Sequence, residues 1–258
     1  PPRDPRLMVF AAALLLVAFW GPHGALWSLE RGWALVLGGW FVVAVLVLPD
    51  RPFLSRALVA TVATVATAAL LTGLFGSWGE LDWAMASQYR ELAGSLAASW
   101  PGELSDEAVE LAAEFQARLF PAFLGVGSMA ALGIAWWGYT RLTRRGRTLG
   151  RLTEFRFPDG LLWLLIAGLA LLLVPLDGWS ARVGSNLVFF MGALYALRGL
   201  AVVAALVLGL VGAQLPVLIA LGVVGLLLYP IVVAGTLLLG VTDTWLDLRS
   251  GRVANEEG

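Results

Sequence analysis

The chain of 258 residues has no cysteine, and all 17 of its basic residues are arginine. Without cysteine there are no disulfides, thiolate metal ligands or cysteine nucleophiles. Without lysine there is no Schiff-base or P-loop lysine chemistry. The single histidine, His23, excludes a multi-histidine metal centre. Charge is scarce as well. Only 14% of residues are charged, whereas soluble chains average about 25%. Such a chain cannot cover itself with water-facing surface, so a water-soluble globule is excluded.

Apolar residues are abundant instead, at 59%, with a mean hydropathy of +0.83. A hydrocarbon core of ~30 Å takes about 20 mostly apolar helical residues. Runs of that kind occupy residues 32–48, 54–75, 122–139, 160–176, 183–210 and 215–239. A further run, 7–20, ends at Gly21-Pro22 and lacks a small-residue cleavage pattern. It is expected to be a short span rather than a signal peptide. The fold class expected is therefore all-α: a polytopic transmembrane helical bundle of six to seven spans, carrying an extracytoplasmic amphipathic helical hairpin.

Arginine placement sets the expected threading, because short arginine-rich loops stay cytoplasmic. The loop 141–159 carries Arg141, Arg144, Arg145, Arg147, Arg151 and Arg156 against Glu154 and Asp159, a net charge of +4. Counting back places Arg51, Arg56 and the amino terminus, with Arg3 and Arg6, on the cytoplasmic side. The segment 76–118 then lies outside, and its eight carboxylates face two arginines, a net charge of −6. Three regions follow: amino-terminal spans in 1–75, the acidic segment 76–118, and carboxyl-terminal spans in 119–258 with the basic loop. The side of the carboxyl terminus depends on whether six or seven spans form.

Within the acidic segment Ser77 and Glu80 have the spacing of a capping box. Leu81, Met85, Tyr89, Leu92, Leu96 and Trp100 then recur at helical spacing. Pro101-Gly102 breaks that helix, and Ser105 is placed to cap a second one with Asp106 and Glu107 in its first turn. The pair reads as a hairpin lying on the membrane, or as a lid or docking face for another protein. Trp20, Trp78, Trp100, Trp136, Trp137, Trp163, Trp179 and Trp245 fall near the ends of apolar runs and read as interface anchors. The face of Ala60, Thr64 and Ala68, and the glycines Gly209, Gly212, Gly222, Gly225 and Gly235, are expected at helix contacts. Pro216 and Pro230 could break the last run.

Ionisable groups at bilayer depth are costly and tend to be paired and functional. Arg198 is such a group, lying well inside an apolar run with Asn186 and Tyr195 before it. These three residues are the candidate substrate-binding positions, and Asp159, Asp177, Asp243 and Asp247 are the candidate ion-pair partners of Arg198. No serine-protease pattern surrounds Ser128, and no acidic pair has trusted metal-site spacing. Neither catalytic residues nor a metal site is expected, and the chain is not expected to be an enzyme. No cofactor and no nucleic-acid partner is expected. The lipid bilayer is the expected partner, with other membrane subunits or a cytoplasmic protein at residues 141–156 as further ones.

Four patches carry a resemblance. They are Glu154-Phe-Arg-Phe-Pro-Asp-Gly-Leu-Leu-Trp, Ser185-Asn-Leu, Leu194-Tyr-Ala-Leu-Arg-Gly-Leu-Ala-Val-Val and Asp243-Thr-Trp-Leu-Asp-Leu-Arg. In order and spacing they resemble the YybS-like family of predicted bacterial membrane proteins. That family is loosely similar to the substrate-binding membrane subunits of energy-coupling-factor vitamin transporters, and to small membrane scaffolds of the cell-shape machinery. The resemblance implies a multi-pass protein of the bacterial cytoplasmic (inner) membrane. Under the transporter analogy, Asn186, Tyr195 and Arg198 lie near a ligand and the small-residue faces dock a coupling subunit. Two functions follow as expectations: a small-molecule-binding or transport subunit built around Arg198, or a non-transporting scaffold using its acidic outer hairpin and basic inner loop.

Overall fold

The computed structural model describes residues 27–76, 78–97, 105–143, 149–150, 152–174, 178–211 and 222–248. Among these residues the secondary structure is helical, with no strand. Contacts divide the chain into two units, Pro1–Leu149 and Gly150–Gly258.

The first unit contains α1 (Trp27–Val47), α2 (Phe53–Phe75), α3 (Trp78–Ala97) and α4 (Asp106–Thr143). α1 packs on α2, α2 on α4, and α3 on α4. Small side chains allow the closest approach, since Ala57, Ala60 and Thr64 of α2 are fully buried. Leu37, Phe41, Phe53, Met129 and Leu132 fill in around them. The turn after α1 leaves helix-end carbonyls without intrahelical donors. Arg56, buried, answers them by donating from Nε to the Leu48 carbonyl at 2.9 Å and from Nη2 to the Pro49 carbonyl. A guanidinium there also meets the negative end of the α1 dipole. The Trp136 ring lies 5.6 Å from the Arg56 guanidinium and stacks on Phe53 at 6.2 Å. Trp136 is therefore turned into the unit, unlike Trp78, Trp137, Trp163, Trp179 and Trp245, which are exposed as interface anchors would be.

α3 and the first turns of α4 form an antiparallel pair. Met85 and Ala86 pack with Ala117, while further out Arg90 donates to both oxygens of Glu110 at 2.6 and 2.7 Å. That bond raises the Arg90 pKa further. Ser105 caps α4 as its sequence implies, accepting the Ala108 N–H at 3.2 Å. α4 then continues without a break through Pro121 for 38 residues, about 57 Å. The acidic stretch and the following apolar run are thus one helix. It exceeds a ~30 Å hydrocarbon core by almost its own width again. α3 packs alongside the first turns of α4.

The second unit contains two single 3-10 turns, Leu152–Glu154 and Asp159–Leu161, then α5 (Leu162–Leu173), α6 (Gly178–Val211) and α7 (Tyr229–Leu246). α5 and α6 touch where Gly168 faces Gly184; a Cβ on Gly184 would stand 2.9 Å from the Gly168 carbonyl oxygen.

Among the described residues, five helices are long and apolar enough to cross a membrane: Leu29–Val47, Phe53–Leu74, Glu107–Thr143, Gly178–Leu208 and Tyr229–Leu246. Large apolar side chains such as Leu46, Leu74, Ile134 and Leu238 are exposed on them, as lipid-facing surfaces require. The expected six to seven spans differ from this at two runs, and a third is not described. The run 7–20 lies outside the described residues. The run 160–176 gives α5, whose 12 residues reach only about 18 Å. The run 215–239 is interrupted by a turn at Leu228, and α7 starts at Tyr229. Pro230 stands in the first turn of α7, directly after the turn at Leu228, so the run breaks where its proline is expected to break it; Pro216 lies outside the described residues.

Candidate functional site

In the second unit α6 and α7 meet backbone to backbone. A Cβ on Gly199 would lie 1.7 Å from the Thr236 carbonyl oxygen, and one on Gly240 would lie 1.9 Å from that of Tyr195. Only glycine fits either position. Gly192 faces Leu237, Tyr195 faces Gly240 and Arg198 meets Asp243. Three residues along one helix thus match three along the other, so the two run in the same direction through the contact.

That approach delivers Arg198 to Asp243. Arg198 Nε donates to Asp243 Oδ2 at 2.9 Å and Nη2 to the Asp243 backbone carbonyl at 3.2 Å. Nη1 donates to Asp159 Oδ1 at 3.0 Å, from the 3-10 turn that leads into α5. The Arg198 and Asp243 side chains are 5% and 0% exposed, while that of Asp159 is 63% exposed. Phe157, itself buried, covers the guanidinium at 5.3 Å and meets the buried Tyr195 ring edge-to-face at 5.0 Å. The cluster sits where α5 begins and α7 ends, with α6 passing between.

The candidate residues are placed as follows. Arg198 and Tyr195 share the cluster, and Asp159 and Asp243 are the ion-pair partners. Asp247 is not a partner of Arg198: it pairs with Arg156, because the chain turns there into a left-handed conformation (φ 39°) that ends α7. Asn186 lies 12 residues before Arg198, about 18 Å along the helix, and its amide donates to the Arg182 carbonyl at 2.9 Å. It does not reach the cluster. Asp177 lies outside the described residues. Of the glycines expected at helix contacts, Gly222, Gly225 and Gly235 face open space.

Phe157, Gly199 and Gly240 are not among the candidates read from the sequence, and Arg156 enters there only with the loop arginines. A signal for the glycines was present in the small-residue pair Thr236 and Gly240, four apart, and in Gly192 and Gly199, seven apart. Phe157 shows no periodicity at its loop position, and its signal is its place in the first resemblance patch. Among the described residues no group of three or more histidine, cysteine, aspartate or glutamate side chains could hold a metal ion.

Three of the four resemblance patches supply this cluster. A family model described as a predicted membrane protein, DUF2232, matches residues 7–244. The chain belongs to that family. The match to DUF2232 contains Asp159, Arg198 and Asp243, and ends before Asp247. No curated protein and no solved structure matches the chain.

Proposed function

We propose that this DUF2232 protein is a non-transporting membrane scaffold, an integral helical subunit that holds partners rather than passing a solute. The observation that carries this reading is the use of Arg198. Its Nε, Nη1 and Nη2 all donate within its own chain, to two carboxylates and a carbonyl. Three of its five N–H groups are thus engaged and its side chain is buried, so it clamps a loop and two helices together.

The working surfaces are then the outer ones. The α3–α4 hairpin stands beyond the length of α4 that a bilayer core requires. It exposes Leu111 and Phe115 on one stripe beside Glu107 and Glu114. Exposed Leu111 and Phe115 offer a partner apolar anchors, and the carboxylates around them suit the polar rim of such an interface. At the other end of the first unit lie Arg51, Arg56 and Arg141, and arginine of this kind marks the cytoplasmic side. The hairpin would accordingly be extracytoplasmic, in the envelope of a bacterial cytoplasmic membrane. Arg156 joins the end of α7 to the segment that follows the basic loop, which supports a cytoplasmic end for α7 as well.

Thermal unfolding of the detergent-purified protein against vitamins, nucleobases and small anions tests the reading. A ligand at a hundred times its Kd stabilises a fold by about 2.7 kcal/mol. The expected result is no such shift with any compound. A compound that stabilises the native chain and fails on Arg198→Lys overturns the scaffold in favour of a transport subunit.

A further inference from the structure

Residues 152–161 are unlike the helices they lie on. They comprise two single 3-10 turns joined by a non-helical stretch, with backbone bonds from the Phe155 N–H to the Leu152 carbonyl and from the Leu161 N–H to the Pro158 carbonyl. Side chains that tie the segment down include Arg156 to Asp247 on α7, Phe157 between Arg198 and Tyr195, and Asp159 to Arg198. Both ion pairs have an exposed side. Arg156 and Asp247 are each half-exposed, and most of the Asp159 carboxylate is open to solvent. Pairs of that kind contribute little and are screened by salt.

The seat beneath is different in kind. Asp243 already neutralises Arg198 and, with its backbone carbonyl, occupies two of the three bonded nitrogens. Asp159 is a second carboxylate on one guanidinium, so its attraction to Arg198 is partly cancelled by repulsion from Asp243. Removing it leaves a buried ion pair that is still complete in charge. Gly199 and Gly240 keep α6 and α7 in contact without any help from the segment.

We infer that residues 152–161 are a detachable strap, latched by Arg156–Asp247 and Arg198–Asp159 over a seat that stays folded when the strap lifts. Closed, it hides the Phe157 ring and one edge of the Arg198 guanidinium. Open, it frees the Phe155-Arg156-Phe157 stretch and uncovers that edge. The strap directly follows the arginine-rich loop in sequence. The inference stands whether or not the scaffold reading does.

Amide hydrogen exchange on the full chain in lipid nanodiscs tests it, comparing the native protein with the variant Asp159→Asn/Asp247→Asn. Both substitutions keep side-chain size and remove only the latching charges. The expected result is that amides of 152–161 exchange about tenfold faster, while those of 190–200 and 236–245 keep their native protection, as separate opening units do. Raising salt on the native protein is expected to move 152–161 in the same direction. Unchanged exchange in 152–161 overturns the latches. Faster exchange in all three segments together also overturns the inference, because the strap would then be part of the cooperative core.

Discussion

Gly199 and Gly240 face each other so closely that the α6 and α7 backbones touch, and this contact is what sets Arg198 against Asp243. A methyl group on either glycine would overlap a carbonyl oxygen of the other helix. Backbone cannot rotate aside as a side chain can, so the helices would have to separate. Gly199→Ala and Gly240→Ala are each expected to cost at least the ~1–3 kcal/mol typical of overpacking. Gly192→Ala is the control, since its new Cβ would meet the end of the Leu237 side chain at 3.4 Å. Thermal midpoints in detergent should fall for the first two and change little for the third.

A buried ion pair that loses one partner leaves the other charge uncompensated. Arg198→Met and Asp243→Leu are each expected to destabilise by about 3–5 kcal/mol. The double variant replaces the pair with apolar groups and should recover most of that loss. A double-mutant cycle on thermal unfolding gives the coupling. Two single losses that simply add would mean that the pair is not a unit.

Arg56 tests whether a second buried arginine is structural too. Its removal would take the side-chain donor from the Pro49 carbonyl and leave the Leu48 carbonyl with the Arg51 N–H, so Arg56→Ala should cost about 1–3 kcal/mol. Arg56→Lys keeps the charge but loses the planar fork that reaches two carbonyls, and should recover only part of the loss. Unfolding of the native chain and both variants in one detergent ranks them. Equal midpoints for the lysine variant and the native chain would reduce the role of Arg56 to charge alone.

Some of this was legible before any helix was placed. The Ser105 cap could be read because it is a local interaction between residues three apart. The buried face of α2 could be read because helical spacing puts Ala60 and Thr64 on one side. Arg198 stood out because a charge in an apolar run has no local explanation, and Asp159 and Asp243 were among its four named partners. Asp247 was misassigned because only the left-handed turn at the end of α7 shows that its side chain goes to Arg156. Asn186 was grouped with Arg198 by closeness in sequence, and the rise of one helix keeps them about 18 Å apart.

What the sequence determined by itself is the solvent and the class of secondary structure. Apolar length and the scarcity of charge leave lipid as the surroundings, and lipid leaves helices as the way to satisfy the backbone along these runs. What only the tertiary structure decided is which helices touch and in which direction. Apolar run length cannot show that α4 carries the acidic stretch and the span as one helix, or that a turn at Leu228 ends one segment and Tyr229 begins another. Nor can it show that Gly199 meets Gly240. In lipid every helix presents a similar apolar surface, so pairing is selected by close packing of small residues and by a few buried charges. Those terms act between residues some forty positions apart, and they exist only once both helices are in place.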